Sequence, residues 1–551
     1  MTSQETCCDS EQIRNSEPTE KAPSRNSQGT FARVRQEFLR DEPSWTKSDD
    51  GDVQKHHTGF RKRSKIMKQN QKVTEINLCN LIRKGLPCPF ENCKFSHDVE
   101  NYLKERPQDI ADKCPVLQEL GFCPMGFACR YVGAHPTKEL FRNPMLQEKH
   151  ENAAEAQRNL LKKLHAREYE FLGSDTRKNE RKNIDLRGKV YVAPLTTVGN
   201  LPFRRILVEL GADVTCGEMA VAHQLLKGSP SEWALLKRHP SEKIFGVQIA
   251  GCHPQDMGKI AELISRETEA DFIDVNMGCP IDDITNHGGG SALMKRPNRI
   301  LQIVEAITKA APSVPLGLKM RTGWDDDKKL AHKIIEALHP VSKQLTYLMV
   351  HGRSRLQRYT KCADWNYIAG SCAPAAKAID VQFVGNGDIL HWEDYKRATT
   401  PISEGGIMDP EAPIATALIG RGALIKPWIC TEIKEQRVWD ISASERLDLI
   451  KRFSNYGLEH WGSDQRGVDT TRRYLLEWLS FAHRYVPVGI CEEGYLQHVN
   501  HRPPFAFSGR SDLETLLSSP SSRDWEKVVE MFLGPSPEGF HFVPKHKANA
   551  W

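Results

Sequence analysis

Phe272-Ile-Asp-Val-Asn-Met-Gly-Cys-Pro280 begins as a short apolar run and stops in a turn that carries one cysteine, Cys279, with proline directly behind it. A brief run of this kind, cut off by a turn signal, is the pattern of a strand buried on both faces. Working outward, the same pattern recurs at Val190-Ala193, Ala212-Thr215, Ile244-Ile249, Leu316-Lys319, Tyr347-Val350, Val381-Val384 and Gly406-Met408. Each run is followed by polar or reactive residues: Thr196, Glu218, Gln248, Asn276 with Cys279, Lys319 with Arg321, His351 with Arg353, Asn386 with Asp388, and Arg421. Helical spacing fills the intervals, so the pattern predicts parallel strands joined by helical crossovers. Residues 186–435 match the roughly 250 residues of a (β/α)8 barrel, whose strands bring their C-terminal ends to one face. The expected fold class is therefore α/β, a TIM barrel, and those side chains should meet at one mouth.

The rest of the chain is organised differently. At 551 residues, 27% charged and 39% hydrophobic, it is expected to hold two to four folded units, and its net charge of +5 names no partner. The 15 cysteines are scattered except in one stretch, no apolar leader follows Met1, and no run of about 18 apolar residues occurs, so a reduced, non-membrane setting is expected. Residues 1–72 are polar, are expected to stay unstructured, and end in the basic run Arg61-Lys-Arg-Ser-Lys65, readable as a nuclear address or an RNA arm. Cytoplasmic and nuclear placement is the corresponding expectation. Residues 141–185 read as a helical connector. Residues 436–551 read as a helical domain and tail in which Arg472, Arg473, His483 and Arg484 are candidates for RNA phosphate contact.

Residues 73–140 hold a Cys/His pattern in two copies. Cys79, Cys88, Cys93 and His97 are spaced C-x8-C-x4-C-x3-H, and Cys114, Cys123, Cys129 and His135 are spaced C-x8-C-x5-C-x5-H. Three thiolates and one imidazole suit tetrahedral zinc, and segments this short need the metal in order to fold. Two structural zinc ions are expected. CCCH fingers resemble RNA-binding modules, with Phe90, Phe95, Phe122, Phe127 and Tyr131 as candidate stacking rings near Lys84, Lys94 and Arg130; each ring could equally serve a mini-core.

Several motifs within the barrel region together resemble the tRNA-dihydrouridine synthase family. They are Ala193-Pro-Leu-Thr-Thr-Val-Gly-Asn-Leu-Pro-Phe-Arg204, Cys216-Gly-Glu-Met219, Gly246-Val-Gln-Ile249, Asp274-Val-Asn-Met-Gly-Cys-Pro280, Lys319-Met-Arg321, Val350-His-Gly-Arg353, Gly385-Asn-Gly-Asp388 and Gly420-Arg-Gly-Ala-Leu-Ile-Lys-Pro-Trp428. With the CCCH fingers and the terminal Phe542-Val-Pro-Lys-His-Lys-Ala-Asn549, the likeness is to the eukaryotic branch acting on uridine 47 of tRNA. The resemblance implies FMN, with NADPH or NADH as reductant. It implies cofactor contacts from Pro194, Leu195, Thr196, Gln248, Lys319, His351, Asn386, Gly387, Asp388, Gly420 and Arg421. It also implies Cys279 as the acid that protonates uracil C5, with Asn276, Arg321 and Arg353 toward the substrate and Glu218 in support. The implied partner is tRNA, with mRNA a further candidate, and the implied state is a monomer.

One stretch departs from the family pattern. Gly405-Gly-Ile-Met408 should run directly into Ile419-Gly-Arg-Gly422, but Asp409 to Leu418 intervenes with Pro410 and Pro413. The reading is an insertion, either a bulged loop or a retained intron. Two other functions stay open on sequence: an RNA-binding protein with an inert barrel, and a flavin barrel acting on a free pyrimidine.

Overall fold

The computed structural model describes residues 32–43, 78–135, 144–174, 182–357, 361–492 and 505–545. Eight parallel strands close into a ring: β1 (Tyr191–Val192), β2 (Val214–Cys216), β3 (Ile244–Ala250), β4 (Phe272–Met277), β5 (Leu316–Arg321), β6 (Tyr347–His351), β7 (Gln382–Asn386) and β8 (Ile414–Ile419). Closure runs through Leu418 beside Tyr191 on one side of β1 and Val214 beside Ile244 on the far side of β2. Helices such as Leu201–Glu209, Pro254–Glu267 and Pro297–Ala310 wrap the outside; in the last the buried Ile300, Ile303, Val304 and Ile307 recur at helical spacing, while Leu201–Glu209 is buried from Pro202 to Leu207 without a break.

The last strand corrects the sequence reading. Gly406-Met408 is not a strand: Gly406 N–H donates to the Pro401 carbonyl (3.0 Å) and Met408 N–H to the Thr400 carbonyl (3.1 Å), folding this stretch back on the preceding helix end. The eighth strand is Ile414–Ile419, buried along its whole length, with Ala417 in register with Gly385. The supposed insertion therefore supplies most of that strand. Pro413 stands just before it, where its missing N–H leaves the ladder intact.

Three rings share the barrel interior with branched aliphatics such as Val214, Val384 and Leu418. Tyr191, Phe272 and Tyr347 meet edge to face, with centroids 5.9 to 6.3 Å apart. Gly317 makes room for them: a β-carbon there would lie 2.0 Å from the Tyr347 ring.

The long helices Ala443–Trp461 and Gln465–Ala482 pack against the barrel, the first opened by a Ser442/Glu445 capping box and the second capped by Asp464. The Trp478 indole N–H donates to the Leu424 carbonyl (3.1 Å), tying this domain to the helix after β8. Arg472 is 1% exposed and donates to the carbonyls of Leu533, Gly534 and Pro535; His483 and Arg484 are also buried. These three are internal supports and not RNA contacts. Backbone oxygens meet the polar tips of Arg472 and His483, and the Arg484 guanidinium lies over the Phe481 ring, 5.5 Å from its centroid, which explains why these basic residues end up inside.

Residues 32–43, expected to be unstructured, form a strand, Leu39–Pro43, antiparallel to Phe505–Phe507. Ala32 and Val34 are buried against Val486, Ile490 and Cys491, enough apolar contact to order a polar segment. The basic run 61–65 lies outside the described residues. Among the described residues, no helix is long and apolar enough to cross a membrane.

Candidate active site

The turn after β4 is held from three sides. The Asn276 side-chain oxygen accepts from Gly278 N–H (3.0 Å) and Cys279 N–H (2.7 Å). Arg321 Nε donates to the Gly278 carbonyl (2.7 Å), and Ser291 N–H donates to the Cys279 carbonyl (3.0 Å). The Cys279 thiol is thus placed by backbone anchors on a partly accessible turn. Burial raises its pKa above the ordinary thiol value, outweighing the Ile281 N–H and the nearby Arg321 and Lys319, so it carries its proton at neutral pH.

Lys319, paired in register with Asn276 in the second half of β5, donates to the Asn386 side-chain oxygen (3.2 Å), whose amide in turn donates to the Leu418 carbonyl (3.0 Å). Burial, with Arg321 adding, brings Lys319 down to about 8. His351 is pushed well below its usual range by burial and by the surrounding Arg321, Lys319, Arg353 and Arg421, so it is a neutral ring among cations. Asp388 is the carboxylate that organises this half. It accepts from Arg353 (2.6 and 2.8 Å), Arg421 (3.1 Å) and Ala363 N–H. Gly387 precedes it with φ of +137°, a conformation that favours glycine.

Rim residues complete the mouth. Pro194 and Leu195 are half-buried and Thr196 exposed. Next to them Thr197, at φ of +76°, donates its N–H to Glu218 (2.6 Å), and Lys545 of the C-terminal tail reaches Thr197 Oγ1 at 3.4 Å.

Not every expected role fits its placement. Arg353 is 1% exposed and also holds the Lys361 carbonyl, so it braces Asp388 and the 361–363 segment instead of facing a substrate. Arg321 spends two donors on Gly278 and Ser354 carbonyls, and Asn276 spends its oxygen on the thiol turn; both act first on the loop. Asp274, Tyr347 and Lys545 escaped the sequence reading. Asp274 was legible in principle, because a carboxylate in mid-strand of a buried run demands partners.

The site fits a flavin phosphate on two observations. The cations Lys319, Arg321, Arg353 and Arg421 outnumber the Asp388 carboxylate among them, and a β-carbon at Gly420 would meet nothing within 4 Å, leaving open space at the end of β8.

The two Cys/His groups are each compact. The ligand atoms of Cys79, Cys88, Cys93 and His97, and those of Cys114, Cys123, Cys129 and His135, lie within 4.8 Å of one another, a donor set that fits zinc. Their settings differ. The second group is wholly buried, with Ser463 Oγ 3.2 Å from Cys129 Sγ and 3.4 Å from Cys123 Sγ, and Ser463 carbonyl accepting from Arg130 N–H. Phe122, Phe127 and Tyr131 are buried with it and are core residues, whereas Phe90 and Phe95 on the first finger are 67% and 51% exposed.

A closed parallel barrel with a protonated thiol and a cationic pocket at its C-terminal mouth defines a barrel enzyme suited to proton donation beside an anionic cofactor. The model described as dihydrouridine synthase (Dus) matches residues 191–480, and the chain belongs to that family. Curated relatives span nearly the whole chain. A "tRNA-dihydrouridine(47) synthase [NAD(P)(+)]-like" protein of Xenopus laevis is 42% identical over 93% of this chain and 86% of its own length. The Homo sapiens protein of the same name is 44% identical over 84% and 79%, and a "tRNA-dihydrouridine(47) synthase [NAD(P)(+)]" of Coprinopsis cinerea is 37% identical over 87% of each. The solved old yellow enzyme of Trypanosoma cruzi overlaps 45% of this chain and 89% of its own at 10% identity and a TM-score of 0.31, too low to add to the argument.

Proposed function

We propose that this protein is a flavin-dependent, NAD(P)H-consuming tRNA-dihydrouridine synthase that saturates the C5–C6 bond of a uridine, position 47 of the variable loop. Bound FMN, reduced by the nicotinamide, would supply hydride to C6. The chain's own residues do the rest. Cys279 delivers the proton to C5, and its raised pKa keeps that proton in place until it is needed. Asn276, Arg321 and Ser291 keep the thiol from wandering, so little ordering remains to be done when the base arrives. Lys319 sets a fixed cation where a reduced flavin carries its negative charge, and Asp388 keeps Arg421 at the phosphate end. The target base must leave its stack to enter such a mouth. Phe90 and Phe95 offer stacking surfaces for unpaired bases of the RNA.

NADPH is the reductant of this proposal, the protein works as a monomer in cytoplasm and nucleus, and uridines of mRNA are a second class of target. The observation that carries the reading is a protonated thiol anchored through its backbone, with Arg321 and Lys319 acting on it and a wider cationic group of Lys319, Arg321, Arg353 and Arg421 around His351. Mapping dihydrouridine in RNA from cells lacking the protein is the direct test. Loss at tRNA position 47, restored by wild-type protein, is expected; an unchanged map overturns the proposal. Turnover of free uridine as fast as tRNA would favour a free-pyrimidine reductase instead.

A further inference from the structure

We propose that Asp274, deep in β4, is a positioning residue that orients Gln248 and Asn276 and thereby sets the Cys279 turn. The proposal rests on the reading of Cys279 given above. Asp274 is 1% exposed inside the barrel, and its two oxygens have separate partners: the Tyr347 hydroxyl donates to Oδ1 (3.0 Å) and Gln248 Nε2 donates to Oδ2 (2.6 Å). Tyr347 has one hydroxyl proton and spends it on Asp274, so Tyr191, 3.3 Å away, is the donor to Tyr347.

The consequence runs outward in one direction. A side-chain amide has a donor end and an acceptor end of nearly equal size, and only its partners decide which way it faces. Because Asp274 offers only acceptors when ionised, Gln248 must turn Nε2 inward. Its Oε1 then faces Asn276 Nδ2 and accepts at 2.8 Å. Asn276 is left with its oxygen toward the turn, where it takes the N–H groups of both Gly278 and Cys279. Reversing the two amides would bring Nδ2 against two N–H donors, and the turn would lose its inner anchor. One buried carboxylate therefore fixes four hydrogen bonds between itself and the thiol's backbone. Burial raises Asp274 to about 6, which leaves it ionised at neutral pH and in need of these donors.

The requirement is for an acceptor, not for charge, and substitution separates the two. Asp274→Asn can still present oxygen to Gln248 while its amide donates to Tyr347, reversing only the two tyrosine hydroxyls. Asp274→Leu removes the acceptor. The readout is the rate at which iodoacetamide labels the Cys279 peptide, followed by mass spectrometry on the full-length flavin-bound protein without RNA. Asp274→Leu is expected to label several-fold faster and to lose about 10- to 100-fold in kcat with tRNA affinity unchanged. Asp274→Asn should match wild type in labelling and stay close to it in kcat. Tyr347→Phe, which spares the Gln248 link, should also label at the wild-type rate. If Asp274→Leu does not fold, Gln248→Met cuts the same chain one link further out and should give the same faster labelling. Wild-type labelling in the chain-cutting variant, or Asp274→Asn as impaired as Asp274→Leu, overturns the proposal. Labelling reports on the turn whatever Cys279 does, while turnover of Cys279→Ala reports on the acid, so the two readings fail separately.

Discussion

Cys279 and Lys319 feel each other's charge and have opposite requirements: one must keep a proton for delivery and the other must keep one as charge. Burial serves the thiol by raising its pKa and works against the lysine by lowering it to about 8. Cys279→Ala is expected to slow turnover by about 10²- to 10⁴-fold, the usual worth of a general acid, and to leave the flavin bound. Stopped-flow reduction and reoxidation would place the defect in the half-reaction with tRNA. Lys319 makes a prediction in pH. Its cation is present below about 8 and lost above it, so an anionic ligand that prefers the cation binds less well as pH rises. If FMN binds only the charged form, the apoprotein's FMN affinity should fall about tenfold between pH 7 and pH 9, as simple linkage requires. Titration of Lys319→Met should give a flatter curve.

The strands show what a sequence can and cannot tell about elements. Strands buried on both faces read as apolar runs, and β3 to β7 were legible for that reason, as were the side chains at their ends. The eighth was missed because Pro410 and Pro413 made Ile414–Ile419 look interrupted, while the glycines and aliphatics of 405–408 imitated a strand end. What decides between the two is pairing on both sides, which only closure of the ring supplies. Ala417 is in register with Gly385, and its neighbour Leu418 with both Asn386 and Tyr191. Ala417→Pro should therefore cost more than the about 1 to 3 kcal/mol of one buried ladder group left unpaired, because the ring also clashes inside a strand paired on both sides, and should take the adjoining Gly420–Arg421 phosphate site with it. At exposed Gly405, where φ is +84° and nothing crowds a β-carbon, Gly405→Ala should cost only about 1 to 2 kcal/mol. Thermal unfolding and FMN retention measured on both variants check the assignment; equal losses would place the strand elsewhere. The internal arginines were illegible for another reason. Composition marks Arg as a surface residue, and nothing local to Arg472 announces that the carbonyls of Leu533 to Pro535 will return to meet it.

Across the whole molecule the two fingers divide their work although their sequences look alike. Cys123 and Cys129 of the second finger meet Ser463 ahead of the helix Gln465–Ala482, and its Tyr131 hydroxyl reaches the Phe532 carbonyl at 3.4 Å, whereas the first finger meets that helix's start through the part-exposed ion pair of Arg83 with Asp464 at 3.4 Å. The second finger is thus a staple joining the N-terminal module to the helical domain, while the first keeps His97 and two phenylalanines exposed. Metal bound at the two groups should differ in access, because a chelator must reach the ion or wait for the fold to open. Zinc release into a chromogenic chelator is accordingly expected in two phases of similar amplitude. The fast phase should weaken tRNA binding without loss of flavin, and it should disappear in Cys88→Ser. The slow phase should track unfolding of the interface, appearing together with new protease cleavage between residues 78 and 135, and it should accelerate in Ser463→Ala, which removes the hydroxyl between the two sulfurs. A single release rate, unchanged by Ser463→Ala, would mean that burial of the second cluster contributes nothing to holding its metal and that the docking seen at Ser463 is not what joins finger to domain.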